Sequence, residues 1–328
     1  MITTYYQPPA GEYQSGLSMD QLASVLPLAG GLLWVDLLDE PLESCRRLLL
    51  ETFGFHPLAV DDALEEQHVP RVDDWGNYLY LVLHTVLLAQ QETTEIDTLE
   101  LDIFLGHNYL VTYHTQPIDV ISRVQRACQR DDRHLRRGAG HLLYKLIDEL
   151  VADYMPVVDQ IDEVIDRVED QIFDDTGTVL LEEVFTLKRG LLHLRRIIAP
   201  QREVLNKLAR GDFAVIRPED RVFFRDIYDH LVRLYDITEG LRDLVGGALD
   251  TYLSVVNNRM NDVMKTLTII TTLFMPVSFL AGFFGINFFQ AVEPLAAWTS
   301  RPAFIAMLAA MTVTPLVMYL WMRRRRLV

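Results

Sequence analysis

The sequence predicts an α+β membrane protein with a mixed α/β domain at the N-terminus, a long helical stalk and two C-terminal transmembrane helices. Before residue 140, short runs of β-branched and aromatic residues alternate with helical patterns, which is typical of a mixed α/β domain. From Val222 to Asn287, apolar residues recur every three or four positions, far beyond the length of an ordinary globular helix. Two apolar segments near the C-terminus each have about the 20 residues needed to cross the hydrocarbon core.

Composition and charge narrow the range of functions. The chain has 328 residues and a formal net charge of -16, which makes a nucleic-acid partner unexpected because phosphate binding needs clustered positive charge. Cys45 and Cys128 are far apart and form no metal-type pair or disulfide framework, which favours a reducing cytosol for the large domain. No catalytic triad pattern, phosphate loop or clustered histidine set occurs, so we do not expect an enzyme or an organic cofactor.

The first 140 residues divide into a tail and a domain. Residues 1–30 are polar, contain Pro8-Pro9 and are expected to be a flexible N-terminus without a secretory signal. Residues 31–140 are expected to form the α/β cytosolic domain. Its predicted strands are Leu32–Leu37, Tyr78–Leu88, Leu99–Phe104 and Tyr109–Tyr113, and its predicted helices are Leu42–Phe53, a helix from Pro57, and Ile118–Arg130.

Residues 141–215 are expected to form an antiparallel helix pair. The predicted turn is Asp174 to Gly177, and the return helix is expected to run from Leu180 and end before Pro200. One face of the first helix is strongly acidic, and a solvated surface explains this better than a site that collects cations.

The C-terminal part is expected to cross a lipid bilayer twice. We predict a stalk helix over 216–264, a first transmembrane helix over 265–287, a periplasmic loop over 288–301, a second transmembrane helix over 302–322 and a basic tail over 323–328. Arg259 and Lys265 precede the first span and four arginines follow the second, so both termini are expected in the cytoplasm, with the bacterial inner membrane the simplest location.

A stripe of small and polar residues follows one face of the stalk and continues through the first span. Polar groups inside a bilayer usually face a bundle interior or a water-filled path, so the stripe favours a pore lining, although packing between helices through small residues is the alternative. The stripe consists of Asp250, Ser254, Asn257, Asn261, Met264, Thr268, Thr271, Met275, Ser278 and Gly282.

Several segments then carry a family resemblance. The first span contains Met275-Pro276 and Ala281-Gly282 and ends in Phe284-Gly285-Ile286-Asn287-Phe288. These residues resemble the CorA family of divalent-cation channels. Further segments share the resemblance: Phe223 to His230, Asp250 to Ser254, Asn261 to Ile270, His56-Pro57-Leu58 followed by Asp61-Asp62, Pro70-Arg71, and the basic tail. The resemblance covers nearly the whole chain after about Leu32.

The resemblance implies a funnel-shaped homopentamer in which five first-span helices line one pore for divalent cations. Gly285, Ile286 and Asn287 take the place of the family's Gly-Met-Asn motif, at which Asn287 would hold hydrated Mg²⁺, and Glu293 would be an outer-mouth acid. Met264 or Leu267 would form an apolar collar, and Met275 is another candidate constriction. Mg²⁺ would also regulate the pore by binding between subunits, at the matching carboxylates Asp61, Asp62 and Asp226 and the weaker candidate Asp153.

Two departures from the family pattern leave alternatives open. Ile286 replaces the usual methionine, and the segment after Asn287 lacks the family's Met-Pro-Glu-Leu sequence. Isoleucine at this place is also found in the ZntB branch, which is associated with proton-driven Zn²⁺ transport. The stalk is more similar to the magnesium branch, which favours Mg²⁺ with Co²⁺ or Ni²⁺ as further cargo over a ZntB-like transporter. A weakly conducting, membrane-anchored cation sensor is the third alternative.

Overall fold

The computed structural model describes residues 1–28, 30–65, 69–88, 96–131, 133–174, 178–285 and 301–325. The chain divides into two compact units, Met1–Leu249 and Asp250–Val328. The first unit contains the sheet and most of the helices, and the second contains the two apolar helical segments.

A seven-stranded mixed sheet forms the centre of the first unit. Its spatial order is β2-β1-β3-β7-β6-β5-β4, and all neighbours are antiparallel except β3 and β7. The strands are β1 Ile2–Gln7, β2 Gln14–Ser15, β3 Leu32–Leu38, β4 Arg71–Asp74, β5 Leu79–Leu88, β6 Ile96–Leu105 and β7 Tyr109–His114.

Helices cover both faces of this sheet. Side chains of β3 alternate between the faces, so Leu33, Val35 and Leu37 join one core cluster while Asp36 reaches Gln125 on the other side. The helices of this part are α1 Met19–Val25, α2 Leu42–Arg47 continued by a π-helical turn Leu48–Thr52, α3 Pro57–Leu64, α4 Asp119–Arg130, α5 Arg133–Arg136 and α6 Ala139–Ala152.

The expectation of a flexible N-terminus at 1–30 is wrong. Residues Ile2–Gln7 form strand β1, which pairs with β3 from Ile2 opposite Leu37 to Gln7 opposite Leu32. Tyr5 and Tyr6 are buried, so the strand is held by side-chain packing as well as by the ladder of hydrogen bonds.

The predicted antiparallel helices correspond to α7 Tyr154–Asp174 and α8 Thr178–Arg210, which contact each other. The expectation that the return helix ends before Pro200 is wrong, because α8 continues through Pro200 for ten more residues. Proline removes one backbone donor, but the residues beyond it are anchored. Gln201 is fully buried and its Oε1 accepts a hydrogen bond from the His84 N–H at 3.0 Å, and Leu205 and Leu208 are also fully buried.

A single 65-residue helix, α9 Arg221–Gly285, runs from the first unit into the second. In the first unit its buried face includes Phe224, Ile227, Leu231, Leu241 and Val245. Leu244, which follows Leu241 at a helical spacing of three, is 46% exposed, and its neighbour Val245 takes the buried place.

The second unit contains the C-terminal part of α9 and α10 Arg301–Arg324. Both helices contain windows of membrane-like hydropathy, with means of 1.7 and 1.8, and neither window is buried inside the chain. These exposed apolar surfaces, on two helices long enough to cross a bilayer, complete the predicted order of a mixed α/β domain, a long helix and two apolar C-terminal helices.

Candidate functional site

The polar stripe lies within the second unit, on α9. Its ten members alternate spacings of four and three residues from Asp250 to Gly282, which is a strict seven-residue repeat. A repeat of 3.5 residues keeps one seam facing a common axis only when helices supercoil left-handedly around each other. The spacing is therefore typical of a helix that presents this face to an axis shared with other helices.

The stripe is exposed along its whole length in the isolated chain. All ten members are exposed, Met264 by 56% and Met275 by 67%. The half-buried side of α9 lies about 160° away from the stripe at 100° per residue. That side consists of Ile269, Thr272, Leu273, Pro276, Val277 and Leu280.

Three hydroxyl groups of the stripe are satisfied by the helix itself. Ser254 Oγ donates to the Asp250 carbonyl at 2.9 Å, Thr268 Oγ1 to the Met264 carbonyl at 2.7 Å, and Thr271 Oγ1 to the Leu267 carbonyl at 2.9 Å. Because each hydroxyl hydrogen is committed to the backbone, the oxygen lone pairs remain available as acceptors. At these three positions the face therefore offers acceptor oxygens to water molecules while the hydroxyl donors themselves are satisfied.

Two glycines of the first span, Gly282 and Gly285, have open space around them among the described residues. A Cβ placed on Gly282 or Gly285 would meet no atom within 4 Å among the described residues. Glycine in a helix interior costs about 0.5–1 kcal/mol relative to alanine. The described residues therefore contain no close packing contact that favours glycine at position 282.

The predicted selectivity motif is only partly described. Gly285 is the last residue of α9, whereas Ile286, Asn287 and the acid Glu293 lie outside the described residues. Met264, Leu267 and Met275 lie upstream on α9, and Leu267 is about 60° around the helix from Met264, at the edge of the stripe.

Two of the predicted regulatory carboxylates lie on α3 and have arginine partners. Asp61 accepts a hydrogen bond from Arg46 of α2, and the Asp62 carboxylate lies 2.5 Å from Nη2 of Arg71 on β4. Arg71 also forms an ion pair with Asp73 at 3.2 Å. Both aspartates are partly exposed, so these arginines hold them near the surface of the domain.

The other two candidates differ from each other. Asp153, at the C-terminal end of α6, accepts a hydrogen bond at 2.7 Å from Arg123 of α4, which also contacts Glu149 at 3.2 Å. Asp226 is exposed on α9 and forms no ion pair with the described residues. In the described part of the chain, no three His, Cys, Asp or Glu side chains are grouped to hold a metal ion.

The arginine partners were not foreseen from the sequence. Arg46, Arg71 and Arg123 are 15, 9 and 30 residues from the aspartates they contact. Only the pairing of elements in the fold brings them together, so the local pattern contained no signal for them.

Buried titratable groups lie in the sheet rather than near these carboxylates. The His114 ring Nε2 lies 3.1 Å from Asp36 Oδ1, and both side chains are buried. Burial disfavours the charged imidazole, but the hydrogen bond and charge of Asp36 outweigh this effect and raise the pKa of His114. Burial raises the pKa of Asp102 well above its ordinary value, and its Oδ1 accepts a 2.6 Å hydrogen bond from the Tyr80 hydroxyl.

Comparison with known proteins decides the family. The sequence model of the family described as "CorA-like Mg2+ transporter protein" matches residues 29–324. The chain belongs to the CorA family. CorA proteins are membrane transporters of divalent cations and not enzymes, which confirms the expected family, the expected class of function and the absence of an enzymatic role.

One curated CorA protein shows the extent of the relationship. The cobalt/magnesium transport protein CorA of Thermotoga maritima is 35% identical over 277 residues, which cover 84% of this chain and 78% of that protein. The match therefore covers most of the first unit, Met1–Leu249, which we call the soluble unit, and reaches into the second unit.

Solved structures agree on the fold. The complete structure of the CorA magnesium transporter of Methanocaldococcus jannaschii superposes with a TM-score of 0.82 over 98% of this chain and 97% of that one, at 24% identity. This confirms the predicted mixed α/β domain, long helix and two apolar C-terminal helices. The ZntB cytoplasmic domain of Vibrio parahaemolyticus also matches, with a TM-score of 0.60 over 78% of this chain and 98% of that one, at 16% identity. The fold of the soluble unit alone does not separate the two branches.

Proposed function

We propose that five copies of this chain form a divalent-cation channel in the inner membrane, with both termini in the cytoplasm and Mg²⁺ as its main cargo. Co²⁺ and Ni²⁺ are further candidates for transport. The family membership and the name of the Thermotoga maritima relative support divalent cations as cargo, and cobalt and magnesium among them.

The observation that supports the channel best is the exposed seven-residue repeat on α9. A polar face that continues through an apolar span must be covered by something other than lipid. Between Ile269 and Leu280 the chain partly covers the other side of the helix, so the stripe is left for symmetry-related copies. Five such stripes around one axis would enclose a polar path.

The chemistry of the stripe suits a hydrated ion. Mg²⁺ dehydrates reluctantly and keeps several waters when it is bound. The hydroxyl oxygens of Ser254, Thr268 and Thr271 can accept hydrogen bonds from those waters, since their own hydrogens are bonded to the helix. At the outer end, a ring of Asn287 side chains would select the ion through its water shell. Rings of Met264 and Leu267, and of Met275, would provide apolar constrictions that close by excluding water.

The cytosolic carboxylates suit a regulatory role shared between subunits. Carboxylate oxygens are preferred Mg²⁺ ligands, so Asp61, Asp62, Asp153 and Asp226 are chemically appropriate. The described part of one chain gathers no complete set of ligands, and a neighbouring subunit would have to supply the remainder. Bound Mg²⁺ would hold adjacent domains together, and its loss would free them to move.

A proton-coupled Zn²⁺ transporter fits the membrane part less well. Residues 266–285 contain no Asp, Glu or His, and neither do residues 301–322. Proton-driven carriers commonly use ionisable side chains within the membrane as relays. Within the membrane part, the isoleucine at position 286 is the feature that favours the ZntB branch.

The test is ion flux into liposomes that contain the purified full-length protein, with low internal Mg²⁺. We expect Mg²⁺ entry that falls by an order of magnitude or more in Asn287→Ala, because the first site for the hydrated ion is lost. Gln290→Ala is the matched control, since it removes another side-chain amide three residues further along the sequence. It should leave the flux unchanged. Zn²⁺ uptake that follows a proton gradient would instead assign the ZntB-like function, and no flux of either ion would assign a sensor.

A further inference from the structure

The C-terminal end of α10 contains a surface recess that the ion path does not use. The recess has a volume of about 710 Å³ and is lined by Val317, Leu320, Trp321, Arg323 and Arg324. Its lining is apolar on the span side and doubly cationic at the end of the helix.

The recess faces away from the rest of its own unit. The half-buried residues of α10 are Met307, Met311, Thr314, Pro315 and Met318, whereas the recess lies about 140° around the helix from them. Val317, Leu320 and Trp321 are each more than half exposed. On a helix that crosses a bilayer, an exposed apolar side next to the membrane surface is in contact with lipid.

The charge at this end is opposite to that of the chain as a whole. The protein has a net charge of -16, yet four consecutive arginines occupy positions 323 to 326. Arg323 and Arg324 form no ion pair with the described residues, so both guanidinium groups are available to an external anion. Guanidinium groups bind phosphate oxygens bidentately, and basic clusters next to a span attract anionic headgroups.

We propose that this recess binds an anionic phospholipid of the phosphatidylglycerol class. Arg323 and Arg324 hold the headgroup phosphate, Trp321 lies at the interface, and Val317 and Leu320 contact the acyl chain. This site is separate from the polar stripe and does not depend on which cation is transported. It depends only on α10 crossing the membrane.

The test uses Trp321 as the reporter in vesicles that contain the full-length protein. Brominated phosphatidylglycerol is compared with brominated phosphatidylcholine as a quencher, and Trp321→Phe supplies the background from Trp34, Trp75 and Trp298. We expect Trp321 to be quenched at a much lower mole fraction of the anionic lipid than of the zwitterionic one. In the double variant Arg323→Gln/Arg324→Gln, the mole fraction for half quenching should rise about ten-fold or more.

Matched variants separate a specific site from general charge. Arg259→Gln/Lys265→Gln removes two charges before the first span and should keep the preference for anionic lipid. Arg323→Lys/Arg324→Lys keeps the charge and should retain part of it. The wild-type comparison of the two lipids decides the proposal even if a variant fails to assemble.

Three results would overturn the site. The first is equal quenching of Trp321 by the two lipids, and the second is a preference that survives Arg323→Gln/Arg324→Gln. The third is relief of the quenching by millimolar inorganic phosphate at constant ionic strength, which would show that the arginines bind free anions rather than lipid.

Discussion

The two regions that we propose to handle cations differ in what their own chain provides. In the soluble unit, Asp61, Asp62 and Asp153 each have an arginine of the same chain as a partner. On α9, the stripe from Asp250 to Gly282 is exposed, and between Ile269 and Leu280 the chain partly covers the other side of the helix. Three of the four candidate carboxylates of the first region have a cationic partner in their own chain, whereas the described residues of the chain leave the stripe uncovered.

This difference predicts how each region responds to Mg²⁺. An ion that binds Asp61, Asp62 or Asp153 must compete with an arginine already in place, so binding there is weakened and can respond to the ion concentration. Between Ser254 and Gly282 the stripe has no charged side chain and offers neutral acceptor oxygens, which bind a hydrated ion weakly enough to release it. We therefore expect regulation in the first region and conduction in the second.

The largest effect should come from filling the stripe. Gly282→Phe should lower Mg²⁺ flux by about an order of magnitude or more, because five aromatic rings would occupy the axis. The single chain has open space at this position, so its fold should tolerate the side chain. Flux into liposomes measures the effect, and size-exclusion chromatography checks assembly.

Ala309→Phe is the matched control for that substitution. Ala309 is also exposed in the isolated chain but lies on α10, on the side away from its half-buried residues. Equal loss of flux in both variants would contradict the assignment of the stripe to the axis.

A smaller effect should come from removing a competitor in the soluble unit. In Arg123→Gln, Asp153 loses its cationic partner, so Mg²⁺ should bind there more tightly. The Mg²⁺ concentration that gives half-maximal protection of the protein against proteolysis should therefore fall. Partly exposed ion pairs contribute about 0.2–1 kcal/mol, which corresponds to a shift of up to about five-fold.

Arg195→Gln provides the comparison, since it removes a partly exposed pair with Glu239 that involves no candidate ligand. If both substitutions shift the protection equally, Arg123 does not compete with Mg²⁺ at Asp153.

The smallest effect is the dependence of stability on pH. From Ser254 to Gly282 the stripe contains no titratable side chain, so we expect no pH dependence from it. In the soluble unit, Asp36 raises the pKa of buried His114. A raised pKa stabilises the folded state fully below the unfolded value of about 6.5, and the contribution is lost as the pH rises through the folded pKa. Amide exchange of β3 and β7, corrected for its intrinsic pH dependence, should therefore report lower stability at pH 8 than at pH 6.

His114→Gln should flatten this dependence, whereas His107→Gln in the exposed turn should not. His141 does not interfere, because burial lowers its pKa to about 4 and it stays neutral in this range. An unchanged pH profile in His114→Gln would show that another group is responsible.

Local patterns were sufficient for much of this architecture. The β-branched and apolar runs predicted β3, β5, β6 and β7 to within three residues. The helical period predicted α9 from Val222, one residue after its start, although the stalk boundary at 216 was five residues too early. The stripe was also predictable, because a helix of 3.6 residues per turn fixes which side chains share a face.

Features set by distant pairing could not be predicted in the same way. Strand β4 is the polar edge segment Arg71–Asp74, whose composition has low strand propensity and whose ordering comes from β5. Strand β1 did have a signal in its threonines and tyrosines, which the neighbouring prolines obscured. The arginine partners of the aspartates depend on contacts between elements, and no periodicity encodes them.

The most direct test of the central claim is the accessibility of single cysteines along α9. The two native thiols should react slowly with a thiol reagent, because both are buried and burial raises the pKa of Cys45 to about 11 and that of Cys128 to about 12. Cysteines are introduced one at a time at Thr268, Thr271, Met275 and Ser278, and off the stripe at Ile270, Leu273 and Val277. Each variant is treated with a charged, membrane-impermeant thiol reagent during Mg²⁺ flux.

We predict that modification blocks flux at the four stripe positions and leaves it unchanged at the three others. Block at the off-stripe positions, or no block at the stripe, would contradict a polar path along this face of α9.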